Sequence, residues 1–507
     1  MPTQVFMKLA YFSPLSPQRS GISDYSEELL PHLAQGADIT LFVDGFEPQN
    51  QVLLSRFNWH DYRKDSTVLS SLAGYDAVIY HMGNDHRFHS GIFETMRRYP
   101  GIVVFHDFAL QDFFLGLARQ RNDLRYYLDE VSECHGAAER SHAAEYLEHG
   151  SVPPHVAMPL SFPLNCCLAR AAEGIIAHSQ WSLTRLGKVA PGVPVAKINM
   201  GVESRHFAAQ RAPKSRADQV SIASFGLLIP GKGIEMALKA LSAIREAYDF
   251  HYTLVGAENH YFDVKSLIRS YNLTDLVTIT GHVSLAEFER RIMETDIALN
   301  IRERTVGETS ASLCRIMMAG IASVVADVSW YAELPNDSVV KIPLDSNSDA
   351  LLLAYLRRLI EDAPLRARIG ANARRYAQTE HAIEHTAAEY LSFVRKVIDR
   401  RPQRKLITGI STELSLLGFR ASDDYLMRGL ATEIATLTRQ EENGHSSPSL
   451  SSQLPRSPAE PNSSANKETE HPPLPSPGRL PKIEDIDYKQ AAIEYLGKLS
   501  EERQHHL

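Results

Sequence analysis

From residue 5 to about residue 400 the chain alternates short apolar runs with longer stretches of helical period, and this order constrains the fold most. The first half holds the runs Phe6–Phe12, Ile39–Val43, Ala77–Tyr80, Ile102–Phe105, Gly174–Ala177 and Val195–Asn199. The second holds Val220–Phe225, Tyr252–Val255, Val277–Thr280, Ile297–Ile301, Ser323–Ala326 and Val339–Ile342. Near-continuous Val/Ile/Leu runs with polar residues at their C-terminal ends fit parallel strands buried on both faces. Strand followed by helix, repeated in two blocks, predicts an α/β chain of two Rossmann-like, doubly wound units.

Helix signals fill the gaps. Ser284-Leu-Ala-Glu287 is a capping-box pattern that opens a helix over Leu285–Glu294. Gly231–Tyr248 carries Ile234, Met236, Leu238, Leu241 and Ile244 at helical spacing. The stretch from Phe108 to Cys167 is poor in strand signals and reads as a helical insertion, about residues 108–167, within an N-terminal domain of residues 1–205. A C-terminal domain of 206–385 follows the polar join at Gly201–Gln219, and 386–440 is expected to be a helical segment returning to the first domain. Residues 441–481, crowded with Ser, Pro, Asn and Glu, bury too little apolar surface to order and are expected to be disordered. A weakly amphipathic helix within 482–507 closes the chain and is a candidate docking element for a protein partner.

A net charge of -8 argues against nucleic acid as a partner, because phosphate backbones select a basic surplus. The start of the chain reads as a first strand and not as a signal peptide. No run of 18 apolar residues occurs, so membrane contact is expected to be peripheral and the location cytoplasmic, extending to the inner face of the membrane. Cys134, Cys166, Cys167 and Cys314 match no zinc spacing and are expected to be reduced thiols.

Two segments carry the chemistry. Phe225-Gly-Leu-Leu-Ile-Pro-Gly-Lys-Gly233 leaves a strand and opens a helix, where the dipole disfavours a cation unless an anion is bound. Lys232 is therefore an anion ligand, or else an exposed lysine beside a turn. Asn300–Ser312 makes the same passage: Thr309, Ser310, Ala311 and Ser312 offer N–H and hydroxyl groups at a helix start, and Arg302 can reach the same anion. N-capping alone would also explain Thr309 and Ser310. At the end of a first-domain strand, Asn84 and His89 are candidate contacts for acceptor or sugar hydroxyls, with loop hydrogen bonding as the plain alternative. Phe108, Phe113 and Phe114 suit core packing better than a lipid acceptor, and Glu333 suits a helix start as well as a nucleotide. The only Asp-x-Asp, Asp485–Asp487, lies in the tail, so no metal is assigned.

With these residues the chain resembles the retaining glycosyltransferases of family four, which have the GT-B fold. The resemblance spans about residues 5–400 and rests on Ser20-Gly-Ile-Ser-Asp-Tyr-Ser26, His106-Asp107, Ala177-His-Ser179, Asn199-Met-Gly-Val202, Phe225–Gly233, Leu254-Val-Gly256, Gly307–Ser312 and Met318-Ala-Gly320. It implies two Rossmann-like domains facing a cleft, a nucleotide-diphosphate sugar as donor, no cofactor and no metal. The acceptor would be a glycan or a lipid-linked glycan, as in polysaccharide synthesis. It further implies that Gly21 approaches the donor, that His106 contacts its sugar, that Lys232 neutralises the diphosphate, and that Glu308 with Thr309–Ser312 holds sugar and phosphates. Leu227 stands where the family has an arginine, and Gly307 and Arg315 stand where it has two glutamates. The pattern is that of a variant subset with Gly-Glu-x-Ser, in which Arg302 replaces the lost arginine and Arg315 takes the nucleoside-side position. A non-catalytic GT-B subunit that regulates a partner enzyme is the alternative. A sugar-nucleotide epimerase or a dinucleotide oxidoreductase matches less well, since the chain shows no carboxylate–histidine cluster beyond His106 and Glu308 and no G-x-G-x-x-G after its first strand.

Overall fold

The computed structural model describes residues 6–149, 160–207 and 219–416. Thirteen strands lie among them. The first seven are β1 Met7–Phe12, β2 Ala37–Val43, β3 Asn58–Asp61, β4 Ala77–Met82, β5 Ile102–Phe105, β6 Gly174–Ala177 and β7 Val195–Lys197. They form one sheet in the order β3-β2-β1-β4-β5-β6-β7, with every pairing parallel. The others are β8 Val220–Phe225, β9 Phe250–Val255, β10 Val277–Gly281, β11 Ile297–Asn300, β12 Ala322–Ala326 and β13 Val340–Ile342, ordered β10-β9-β8-β11-β12-β13 and again parallel. Residues of β4, β5, β6, β11 and β12 are buried throughout, as helices on both faces require.

In such sheets ligands bind beyond the carboxyl ends of the strands, where the order reverses. The reversals fall between β1 and β4 and between β8 and β11. The loops leaving β8 and β11 are Gly226–Gly233 and Ile301–Ser310, the two segments singled out in the sequence. Topology therefore brings them side by side.

The insertion is helical where described, with helices Gln111–Gln120, Leu124–His135, Ala137–His149 and Cys166–Ala171. Here one expectation is corrected: Cys134 and Cys166 are not reduced thiols but form a disulfide. The end of one helix meets the start of another with the two Cα atoms 5.6 Å apart, an approach that chain spacing does not reveal. Cys167 and Cys314 are free. The capping box is half made. Ser284 Oγ accepts from Glu287 N at 3.3 Å, but the Glu287 carboxylate turns to Arg290 and Arg291.

The chain divides into compact units at Ile398/Asp399, and both sheets lie in the first. The helix Ile383–Leu416 begins with Ile383, Ala387, Tyr390, Phe393, Val394 and Val397, at i, i+3, i+4 spacing. These residues join the core of the first sheet, with Tyr25 Oη donating to Tyr390 Oη at 3.1 Å. Chain from beyond the second sheet thus closes the core of the first. Among the described residues no helix is long and apolar enough to cross a membrane. The expectations for residues beyond 416, including the linker and the terminal helix, lie outside the described residues.

Candidate active site

The phosphate-loop candidate is shaped by glycine. Gly226, Gly231 and Gly233 have φ of 106°, 82° and 65°, a region that side chains rarely adopt. At Gly226 a Cβ would lie 3.3 Å from Lys232 Nζ, so the bare glycine lets the ammonium fold back over the strand end. Gly231 O accepts from Glu303 N at 2.9 Å, tying this loop to the one leaving β11.

Arg302, on that second loop, is buried, and its Nε donates to Glu308 Oε1 at 3.2 Å. Glu308 is itself fixed, its other oxygen accepting from Thr305 Oγ1 at 2.7 Å and from Val306 N at 3.0 Å. Ser310 caps the helix Ala311–Met318 by accepting from Leu313 N at 3.2 Å, and its hydroxyl lies 3.3 Å from Ser312 Oγ. Thr309 Oγ1 donates to His178 O of the N-terminal domain at 3.4 Å.

Four charged groups, Lys232, Arg302, Glu308 and Asp107, define the electrostatics. Lys232 is pushed down to about 7, first by loss of water around the ammonium and then by Arg302, against the opposing pull of Glu308 and Asp107. Asp107, just past β5 on the opposite domain, is pushed up to about 7, again chiefly by desolvation, with Glu308 adding to it. Both residues are half-buried, at the carboxyl ends of their strands rather than within either core. The cations would gain most from a polyanion: its arrival offsets both their desolvation and their mutual repulsion.

The structure therefore brings Lys232, Arg302, Glu308 and the helix start at Ser310 together, with Asp107 as an addition from the other domain. Asp107 had no separate signal beyond following His106. Its carboxylate is held by Asn84 N at 2.7 Å. Asn84 is otherwise spent on its surroundings, with Nδ2 donating to Asp112 at 2.9 Å and Oδ1 accepting from Phe113 N at 3.0 Å. His89 is buried, with Nδ1 at 2.9 Å from Asp85 O. Gly21 opens the helix Gly21–Leu33, capped by Ser20, and has no atom within 4 Å of where a Cβ would be.

His106 lies inside. Its Nε2 is 2.9 Å from His81 Nδ1, its Nδ1 is buried without a partner, and its ring packs against Tyr25 and His178. Burial holds His106 well below the ordinary histidine range, so the imidazole is neutral. Arg315 is not with the anion-binding groups. It is buried in an ion pair with Glu28 of the N-terminal domain, 3.0 Å away. Glu333 also crosses between domains, accepting from Gln180 N and Trp181 N at 2.9 and 2.5 Å. It does cap a helix start, but that of Gln180–Val189 on the other sheet.

For metals, the one His/Cys/Asp/Glu group of suitable spacing among the described residues is His32, Glu203 and Glu384, with ligand atoms within 4.8 Å of one another. Arg205 already lies 2.6 Å from Glu203, and His32 is about 16 Å along its helix from Gly21.

Comparison with known proteins bears on the fold and on the second domain. Residues 207–376 match the family model described as glycosyl transferases group 1. Among solved structures, the chain is similar to sucrose-phosphate synthase from Thermosynechococcus elongatus, at 15% identity and a TM-score of 0.55, covering 78% of this chain and 99% of that one. It is similar to HepE of Anabaena in complex with UDP and glucose, at 15% identity and a TM-score of 0.53, covering 77% and 100%. It is also similar to WaaG, a glycosyltransferase involved in lipopolysaccharide biosynthesis, at 14% identity and a TM-score of 0.50, covering 76% and 99%. A search of curated proteins returns no match. The fold is GT-B. Residues 207–376 form a group 1 glycosyltransferase domain, and the chain is a glycosyltransferase.

Proposed function

We propose that the chain moves a sugar from a nucleotide-diphosphate donor to a glycan or lipid-linked acceptor, with retention of configuration and without a metal, in the manner of the family-four variant subset. The observation that carries this is that Lys232 and Arg302 act on each other where the loops leaving β8 and β11 are tied together, the second loop running into the helix Ala311–Met318. The HepE complex with UDP and glucose supports a nucleotide-sugar donor, and the role of WaaG in lipopolysaccharide synthesis supports a glycan acceptor.

In the reaction the bond between the anomeric carbon and the diphosphate oxygen breaks, and its electron pair leaves with the phosphate. Lys232, Arg302 and the helix dipole stabilise the charge that develops there, the term that dominates in such transfers. The acceptor oxygen bonds to the same face of the sugar, and its proton passes to the departing diphosphate. Glu308 holds the Arg302 fork in place, and neutral His106 packs beneath the sugar.

Two measurements test the reading. Thermal shift with UDP-, GDP- and ADP-sugars should raise the melting point with one base, because a ligand at about 100 Kd adds about 2.7 kcal/mol. NMR of the product should then show the donor's anomeric configuration. Silence with all three donors, or an inverted product, would contradict it.

A further inference from the structure

A second cavity lies away from the cleft, at the carboxyl ends of the two outer strands of the first sheet. Asp44 follows β2, while Tyr62 and Arg63 follow β3; the helix His86–Arg98 and the helix Gln111–Gln120 close the other side. Its volume is about 470 Å³, in the range of small-molecule sites. Two strand spacings, about 10 Å, separate it from the β1/β4 reversal.

We propose that this cavity is a second carbohydrate site, which seats a saccharide unit carrying one anionic group. The charge pattern comes first. Arg63 is forked onto Asp44 at 2.8 and 2.9 Å, and Arg121 donates to Glu94 at 2.7 Å, so these two pairs are neutral. Arg98 also lines the cavity and, among the described residues, is joined to no carboxylate. One positive charge is left over, and its guanidinium suits a carboxylate or a phosphate.

The second observation is Tyr62. It is 6% exposed and its hydroxyl has no hydrogen-bond partner, while Asp44, Arg63 and Glu94 all act on it. A buried hydroxyl left unpaired is unfavourable, so a ligand hydroxyl that meets it would gain that contact. Guanidinium and carboxylate groups beside the apolar Leu69 and Leu117 match a sugar, which presents both hydroxyls and C–H faces.

The inference extends the transferase reading, since a remote unit of a glycan acceptor is its natural occupant. Direct binding separates the two. The full chain would be titrated calorimetrically with glucuronate, glucose 6-phosphate, glucose and inorganic phosphate. Saturable binding of at least one sugar anion is expected, at least tenfold tighter than glucose or inorganic phosphate; which anion wins identifies the group. Arg98→Gln should reduce that affinity at least tenfold and Tyr62→Phe about threefold, while Lys232→Ala leaves it unchanged. Absence of saturable binding, equal binding of inorganic phosphate, or an unaltered Arg98→Gln variant would overturn the proposal. So would loss of binding in Lys232→Ala, which would put the ligand in the cleft.

Discussion

Arg315 and Glu28 are joined across the two sheet domains, with Nη2 and Oε2 3.0 Å apart, the arginine buried and the glutamate nearly so. The pair fastens the helix Ala311–Met318 of one domain to the helix Gly21–Leu33 of the other. Asp24 and Glu289 also act on Arg315, so its charge is compensated from several sides. The side chain is thereby committed to a contact between the domains.

Arg315→Ala should destabilise the protein by about 1–3 kcal/mol, because Glu28 would lose its charge-assisted hydrogen bond to the guanidinium in a partly buried place. Urea unfolding measures this, and replacing both residues by leucine should recover much of the loss. Nucleotide affinity of the folded variant should stay within threefold of the parent. A large loss of affinity at unchanged stability would return Arg315 to the donor site.

Glu333→Ala should cost about 1 kcal/mol, the loss of a carboxylate cap at the start of the helix Gln180–Val189. Glu333→Gln should cost less, since an amide oxygen still accepts. Chemical denaturation of the three proteins checks the order.

The lowered Lys232 and raised Asp107 make opposite contributions to pH dependence. An unfolded lysine keeps its proton to about 10.4, whereas folded Lys232 loses it near 7, so across that window unfolding takes up a proton and stability rises with pH. Folded Asp107 keeps its proton to about 7 and the unfolded group to about 3.9, so across that lower window stability falls as pH rises. A bound diphosphate restores the ammonium. Nucleotide binding at pH 8 should therefore take up about 0.9 proton, measured calorimetrically in buffers of different ionisation enthalpy, and Lys232→Met should abolish the uptake.

Much of this architecture is legible in the sequence because parallel strands buried on both faces announce themselves as apolar runs. β3 is the exception. Its residues Asn58-Trp-His-Asp61 form an edge strand paired only with β2, so half-exposed polar side chains hide it. Lys232, Arg302 and Ser310 could be named because each stands at a strand-to-helix passage, a local pattern. The pairing of Arg315 with Glu28, the bond between His81 and His106, and the disulfide from Cys134 to Cys166 join residues far apart in the chain. No local pattern records such contacts. The same holds for Asp107, whose place opposite Lys232 exists only once the two sheets face each other.

The most direct test of the account is the turnover of Lys232→Ala with the donor found by the thermal-shift panel. Removing a cation that stabilises the departing diphosphate should lower kcat/KM by about 10²–10³, or about 3–4 kcal/mol, in a protein that folds normally. A folded variant within about threefold of the parent would contradict the central claim that this lysine carries the leaving-group charge.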